Sequence, residues 1–202
     1  MEINDLPKNW VLKTLGDVSS HPQYGYTTKA ADTGDIKLLR TTDITSGMIN
    51  WDTVPFCLKN PDDIKKFQLE DGDIVVSRAG SIGVSYLVQN PEKSVFASYL
   101  IRFKPFINRR YFKYFLESPF YWVEISDNKS GIAVQNINAQ KLKAIPLPIP
   151  PLNEQHRIVT KIEELFSKID KGVESLQKAK ELLVLYRQSL LKHAFEGKLT
   201  EQ

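Results

Sequence analysis

The chain has 202 residues, 42% of them hydrophobic and 25% charged, which are ordinary globular values. No apolar run reaches the roughly 18 residues needed to span a bilayer, and the opening MEINDLPKNW lacks the basic start and apolar core of a secretory leader, so a cytoplasmic protein with no membrane partner is expected. The formal net charge is +3, with 18 basic and 16 acidic residues in 1–150 and nine and eight in 151–202. A nucleic-acid binder so balanced must gather charge locally or let a partner attract the phosphates.

Residues 1–150 read as a mixed α/β domain. Short runs rich in β-branched and aromatic residues predict strands at Ile36–Ile44, Asp73–Ser77, Val84–Gln89 and Val95–Phe103. Asp71-Gly72-Asp73 and Ala79-Gly80-Ser81-Ile82-Gly83 read as turns between them. Asn60-Pro61-Asp62-Asp63 predicts a helix start with proline in the first position, and Ser118-Pro119 predicts another, leading Phe120–Ile125. Arg109–Glu117 is expected to be helical, with Phe112, Phe115 and Leu116 turned to a core. Cys57 is alone and cannot form an internal disulfide, while His21, His156 and His193 have no metal-ligand spacing.

IPLPIPP at 145–151 cannot be helical, because its prolines remove donors and hold the preceding residues extended. It is expected to be a stiff strut or an edge strand. From Leu152 to about Phe195 there is no proline, and residues spaced by seven form an apolar series, Ile162, Ile169, Leu176, Leu183 and Leu190. A second series, three positions on, holds Ile158, Leu165, Gly172, Ala179, Tyr186 and His193. This is a coiled-coil seam. A single helix with an apolar stripe is unstable alone in water, and the sequence offers no second helix of matching length. The seam is therefore expected to pair with another chain, through Ile158, Ile162, Leu165, Ile169, Leu176, Leu183, Tyr186 and Leu190. The expected fold class is α+β: a mixed domain, 1–150, followed by one long helix, 151–202, in an intermolecular antiparallel coiled coil.

Several chemistries have no motif here. There is no P-loop, dinucleotide-binding glycine fingerprint, nucleophile elbow, H-E-x-x-H, C-x-x-C or Asn-Pro-Pro-aromatic sequence. Asp35-Ile36-Lys37 resembles one arm of a nuclease site, but its acidic partner is missing upstream. Three segments are rich in groups that bond to phosphates or base edges: Tyr24–Lys29 leading on to Arg40-Thr41-Thr42, Ser77–Ser81, and Asn128–Asn138. A fourth, Arg102, Lys104, Arg109, Arg110 and Lys113, is the densest basic cluster. Ordinary solvated loops have the same composition. The residues preferred as DNA-facing are Tyr26, Thr28, Lys29, Arg40, Arg78, Ser81, Lys129, Gln135 and Asn136.

Four stretches together resemble the specificity subunits of type I restriction-modification systems. They are WVLKTLGDV at Trp10–Val18, IKLLRTTDI at Ile36–Ile44, GDIVVSRAGSIG at Gly72–Gly83, and IPLPIPPLNEQHRIVTKIEELFSKID with YRQSLLKHAFEGKL toward the end. The last pair is the most specific. The resemblance implies a target recognition domain that reads one half of a split DNA site, and a helix that acts as spacer and docking rod. It implies no catalytic activity in this chain, with S-adenosylmethionine, ATP and Mg on methyltransferase and restriction/translocase partner subunits. Such subunits usually carry two recognition units in tandem, so a half-length form is expected, with a homodimer rebuilding the full arrangement. The rival readings are a nuclease using Asp35 and Lys37, and a coiled-coil adaptor that binds protein alone.

Overall fold

In this computed structural model the residues described are 6–20, 22–128 and 136–199. They form two compact units, Met1–Arg157 and Ile158–Gln202. The first unit is built on ten short strands: β1 (Val11–Thr14), β2 (Gln23–Tyr24), β3 (Ala30–Ala31), β4 (Lys37–Leu39), β5 (Phe56–Cys57), β6 (Ile74–Ser77), β7 (Ser85–Leu87), β8 (Ser94–Phe96), β9 (Leu100–Phe103) and β10 (Pro146–Ile149). Its helices are α1 (Thr41–Ile44), α2 (Ile64–Phe67), α3 (Arg109–Phe115), α4 (Pro119–Asn128) and α5 (Ala139–Ala144). The last helix, α6 (Leu152–Phe195), begins in the first unit and makes up most of the second.

Two four-stranded sheets share a core. One runs β2-β9-β6-β7 and the other β3-β5-β4-β8, with β4 and β8 parallel. Leu39 and Phe96 from the second sheet meet Val75 and Leu100 from the first in one buried cluster with Ile44, Val54, Leu69 and Val88. Ile74, Val75 and Val76 of β6 are all fully buried, as a strand covered on both faces requires. Helix α3 meets β9 where Phe112 lies 5.9 Å from Phe103, ring to ring. Phe112, Phe115 and Leu116 are buried, as the sequence predicts.

The core also holds a charge. Arg102 on β9 is buried and faces Asp73 at 3.2 Å. Its other donors go to the Gln68 carbonyl at 2.5 Å, Gln23 Oε1 at 2.5 Å and the Lys66 carbonyl at 3.1 Å, and it lies 5.0 Å from the Phe96 ring. Burial pushes the Asp73 carboxyl up, while the Glu70 N–H and Arg102 pull it back. A guanidinium bonded through both terminal nitrogens ties the segment before β6 to β2 and β9.

Two predicted strands prove too long. Ile36–Ile44 divides into β4 and the helical turn α1, because the Asp43 carboxylate accepts the Arg40 N–H at 2.8 Å and closes that turn. Val95–Phe103 divides into β8 and β9 around a turn in which Leu100 N–H donates to Ala97 O at 2.8 Å. The proline-first helix at 60–63 is also corrected. The cap is Asp63, whose side chain accepts from Lys66 N, so Pro61 precedes the helix. The proline strut is a strand, with β10 pairing β1 antiparallel from Val11–Ile149 to Thr14–Pro146.

Both ends of α6 have chemical stops. At the start, the buried Gln155 side chain donates to the Pro150 carbonyl at 2.9 Å and accepts the Asn108 N–H at 3.1 Å. This bonds the first turn to the cap of α3. At the finish, Gly197 takes φ +77° and Lys198 N–H returns to the His193 carbonyl at 3.0 Å, a glycine C-cap.

Candidate nucleic-acid interface

The polar segments converge on one side of the first unit because three turns meet there. Strand β6 ends at Ser77, and the chain turns through Arg78–Gly83 with Gly80 at φ +76°. Ser77 Oγ bonds the Ala79 carbonyl at 2.8 Å and lies 3.4 Å from Thr41 Oγ1, which holds the turn beside α1. The segment after β2 crosses the β8–β9 turn at Gly25. A Cβ there would lie 2.2 Å from Ala97 O and 2.3 Å from Phe96 O, so only glycine permits the crossing. Tyr26 N–H then donates to Phe96 O at 2.7 Å, and Ser98 N–H to Tyr26 O at 3.0 Å.

Two adjoining depressions result. One, of about 360 Å³, is lined by Thr41, Thr42, Thr45, Gly80, Ser81 and Tyr99. The other, of about 320 Å³, includes Thr28, Arg40, Thr41, Ala97, Ser98 and Tyr99. Threonine and serine hydroxyls, Arg40 and the Tyr99 ring line these depressions, whose walls are otherwise largely apolar. That set suits phosphates and base edges and contains no nucleophile–base pair.

The predicted residues fare unequally in this setting. Ser81 and Lys29 are exposed, while Thr28, Arg40, Arg78 and Asn136 are half-buried. Thr28 Oγ1 accepts the Lys59 N–H at 3.2 Å. Asn136 is brought to this face by its antiparallel bridge to Ala79. Tyr26 packs 5.3 Å from the Phe67 ring and reaches the Asn60 carbonyl at 3.4 Å. Arg40 gives Nε and Nη2 to Asp43 at 3.1 and 2.8 Å, and that bond raises its already high pKa. Lys129 and Gln135 lie outside the described residues.

The basic cluster is not a free patch. Arg102 is buried against Asp73, Lys104 pairs with Glu70 at 2.8 Å, Arg109 lies 3.9 Å from Asp71, and Lys113 pairs with Glu117 at 2.5 Å. Lys37 is likewise engaged, by the Trp51 carbonyl, by Glu92 at 3.3 Å and by the Phe56 ring at 5.5 Å. Among the described residues no three His, Cys, Asp or Glu side chains gather as a metal site. Sequence reasoning missed Ser98 and Tyr99, and placed Tyr24 in a polar segment without preferring it. All three belong to the convergence, and only the pairing of β2 with β9 reveals them.

The second unit presents the seam. Leu165, Ile169, Leu176, Leu183 and Tyr186 are exposed, and Ile158, Ile162 and Leu190 are half-buried. From Leu182 to Tyr186 five consecutive apolar residues are exposed, so the helix is apolar on every side there.

Comparison with known proteins agrees with this architecture. The chain is 27% identical over 98% of its length to the type I restriction enzyme EcoBI specificity subunit of Escherichia coli, covering 43% of that protein. It is similar in fold to the HsdS subunit from Thermoanaerobacter tengcongensis, with a TM-score of 0.65 and 21% identity over 96% of this chain and 46% of that one. A chain from work on complex assembly and conformational transition of the type I R-M system gives a TM-score of 0.73 at 19% identity, covering 96% of this chain and 47% of that one. The chain thus spans about half the length of the relatives it matches. Residues 7–180 match the family model for the type I restriction modification DNA specificity domain, and the chain belongs to that family.

Proposed function

We propose that this chain reads double-stranded DNA at one half of a bipartite site and has no catalytic activity of its own. The observation that carries this is the convergence of Thr28, Arg40–Thr42, Arg78–Ser81, Ser98–Tyr99 and Asn136 on one face, with donors and hydroxyls but no reactive pair. In this reading residues 1–150 are the recognition domain. Residues 151–202 set the gap between half-sites and dock partners. Methyltransferase and restriction/translocase subunits supply the chemistry, and with it S-adenosylmethionine, ATP and Mg, in the cytoplasm. Those subunits also grip much of the DNA backbone, which fits the small net charge.

The seam of α6 is covered by the same helix of a second copy, antiparallel, and the homodimer then presents two recognition domains. The apolar girdle at Leu182–Tyr186 exceeds what one seam uses, which suits a further helix from a partner subunit. The deciding experiment maps methylated positions in a genome after co-expression with the cognate methyltransferase. A split, palindromic site is expected. An asymmetric site would overturn the homodimer, and the absence of sequence-dependent methylation would overturn DNA reading in favour of a protein-only adaptor. Light scattering that found a monomer at micromolar concentration would also remove the homodimer. Inserting four residues after Ile169 is expected to change the gap between half-sites or abolish methylation.

A further inference from the structure

We infer that Arg78 is a preset guanine reader, held by Tyr24 and Tyr99, and that these two tyrosines determine specificity by positioning it. The inference rests on the DNA-reading proposal above and adds to it a base and a device. Three arginines of the first unit use their donors differently. Arg102 is buried with both terminal nitrogens bonded inside the core. Arg40 spends Nε and Nη2 on Asp43. Arg78 spends only Nε, on the Ser98 carbonyl at 2.9 Å, and its two terminal nitrogens bond no described residue.

The Nε bond fixes the roll of the guanidinium plane. Its tilt is fixed by two rings, with Arg78 Cζ 5.3 Å from the centroid of Tyr24 and 5.8 Å from that of Tyr99. Both rings are themselves placed by backbone. Tyr24 lies on β2, and its hydroxyl accepts the Ala139 N–H at 2.9 Å. Tyr99 lies in the β8–β9 turn, and its carbonyl accepts the Arg78 N–H at 2.9 Å. An unrestrained arginine loses side-chain entropy when it binds, whereas this one is already ordered. Two parallel donors presented edge-on match guanine O6 and N7 in the major groove, and a phosphate needs no such fixed plane. Both rings are substantially exposed, so the fork lies at the surface rather than in the core.

The test selects DNA from a randomised duplex library with the chain assembled with its methyltransferase, and repeats the selection with variants whose thermal unfolding matches the parent. Arg78→Ala is expected to relax preference for guanine at one position of the half-site by about 5- to 150-fold and leave other positions intact. Arg78→Lys, which keeps the charge and loses the fork, is expected to relax the same position. Tyr99→Ala and Tyr24→Ala are expected to relax that position too, and neither adds to Arg78→Ala. Tyr99→Phe, which keeps the ring, is expected to behave as the parent. Replacing that guanine by 7-deazaguanine is expected to weaken the parent and leave Arg78→Ala unaffected.

An equal loss of affinity for all sequences with Arg78→Ala, with the salt slope reduced by about one, would make Arg78 a phosphate contact and overturn the inference. Full preference in Arg78→Lys, or tyrosine variants that relax a different position, would overturn it as well. If the parent assembly itself selects no sequence, the DNA-reading proposal fails. If it selects a site that Arg78→Ala leaves unchanged, only the present inference fails.

Discussion

The two units solve the same problem in opposite ways. The first buries its own apolar surface: Leu39, Val75, Phe96 and Leu100 meet at a relative exposure of 0%, and even a charged pair lies inside. The second leaves its apolar residues in water, with Leu176 and Leu183 at 73% and 62% exposure. The α6 backbone satisfies its own hydrogen bonds, while its side chains have no core to enter. A folding unit that needs nothing else can carry variable loops at its surface. A helix whose apolar residues find no core of their own offers a face on which another helix can pack.

Breaking the contrast most severely requires attacking the first unit from within. Arg102→Ala is expected to cost about 3–5 kcal/mol by leaving the buried Asp73 carboxylate with only Lys104, at 3.8 Å, as a counter-charge, and denaturant unfolding monitored by tryptophan fluorescence would measure it. The next effect is reached by pH. Burial pushes the Tyr111 hydroxyl up to about 12 from 10.0, and Glu154 adds to the shift. The unfolded chain releases that proton first, so this stability is intact below pH 10 and lost between 10 and 12. The loss is about 1.4 kcal/mol per pH unit, and it disappears in Tyr111→Phe, which an alkaline titration of unfolding would detect.

Smaller changes sharpen the comparison. Gln155→Ala is expected to cost about 1–3 kcal/mol, because it leaves the Asn108 N–H and the Pro150 carbonyl unpaired where α6 begins, and amide exchange would locate the loosening there. The smallest effect is on the second unit. Glu164 accepts from Lys161 and Lys168 at 2.9 and 2.5 Å, which lowers its pKa. Glu164→Gln is expected to leave unfolding of the first unit unchanged and reduce helicity slightly, an effect that salt erases.

What was legible in the sequence followed how local each cause is. Helix α6 could be read from Leu152 to about Phe195, because the proline stop before it and the sevenfold apolar spacing along it are both local signals. Ile36–Ile44 misled because Thr41 and Thr42 are β-branched and strand-like in composition, while the turn is closed by the Asp43 side chain folding back on Arg40. The run 95–103 misled because Gly25, some seventy residues away, crosses its turn. Arg78 was readable from its glycine-flanked loop. Its tyrosine supports were not, since β2 and β9 bring them together through register rather than spacing. The cluster at 102–113 looked basic because the acidic partners of Arg102, Lys104 and Arg109 lie some thirty to forty residues upstream, at Asp73, Glu70 and Asp71.

The pairing of β1 with β10 has a consequence for how such a module can change. Val11 faces Ile149 and Thr14 faces Pro146, and the ladder continues as Leu15 N–H donates to Ile145 O at 3.0 Å. The strand that enters the unit and the strand that leaves it are therefore neighbours. Everything between them is a closed excursion whose two ends already touch. A different excursion of the same span could be spliced in between these strands without moving the point where the long helix begins. The ladder thus works as a fixed socket, and what hangs from it is free to vary.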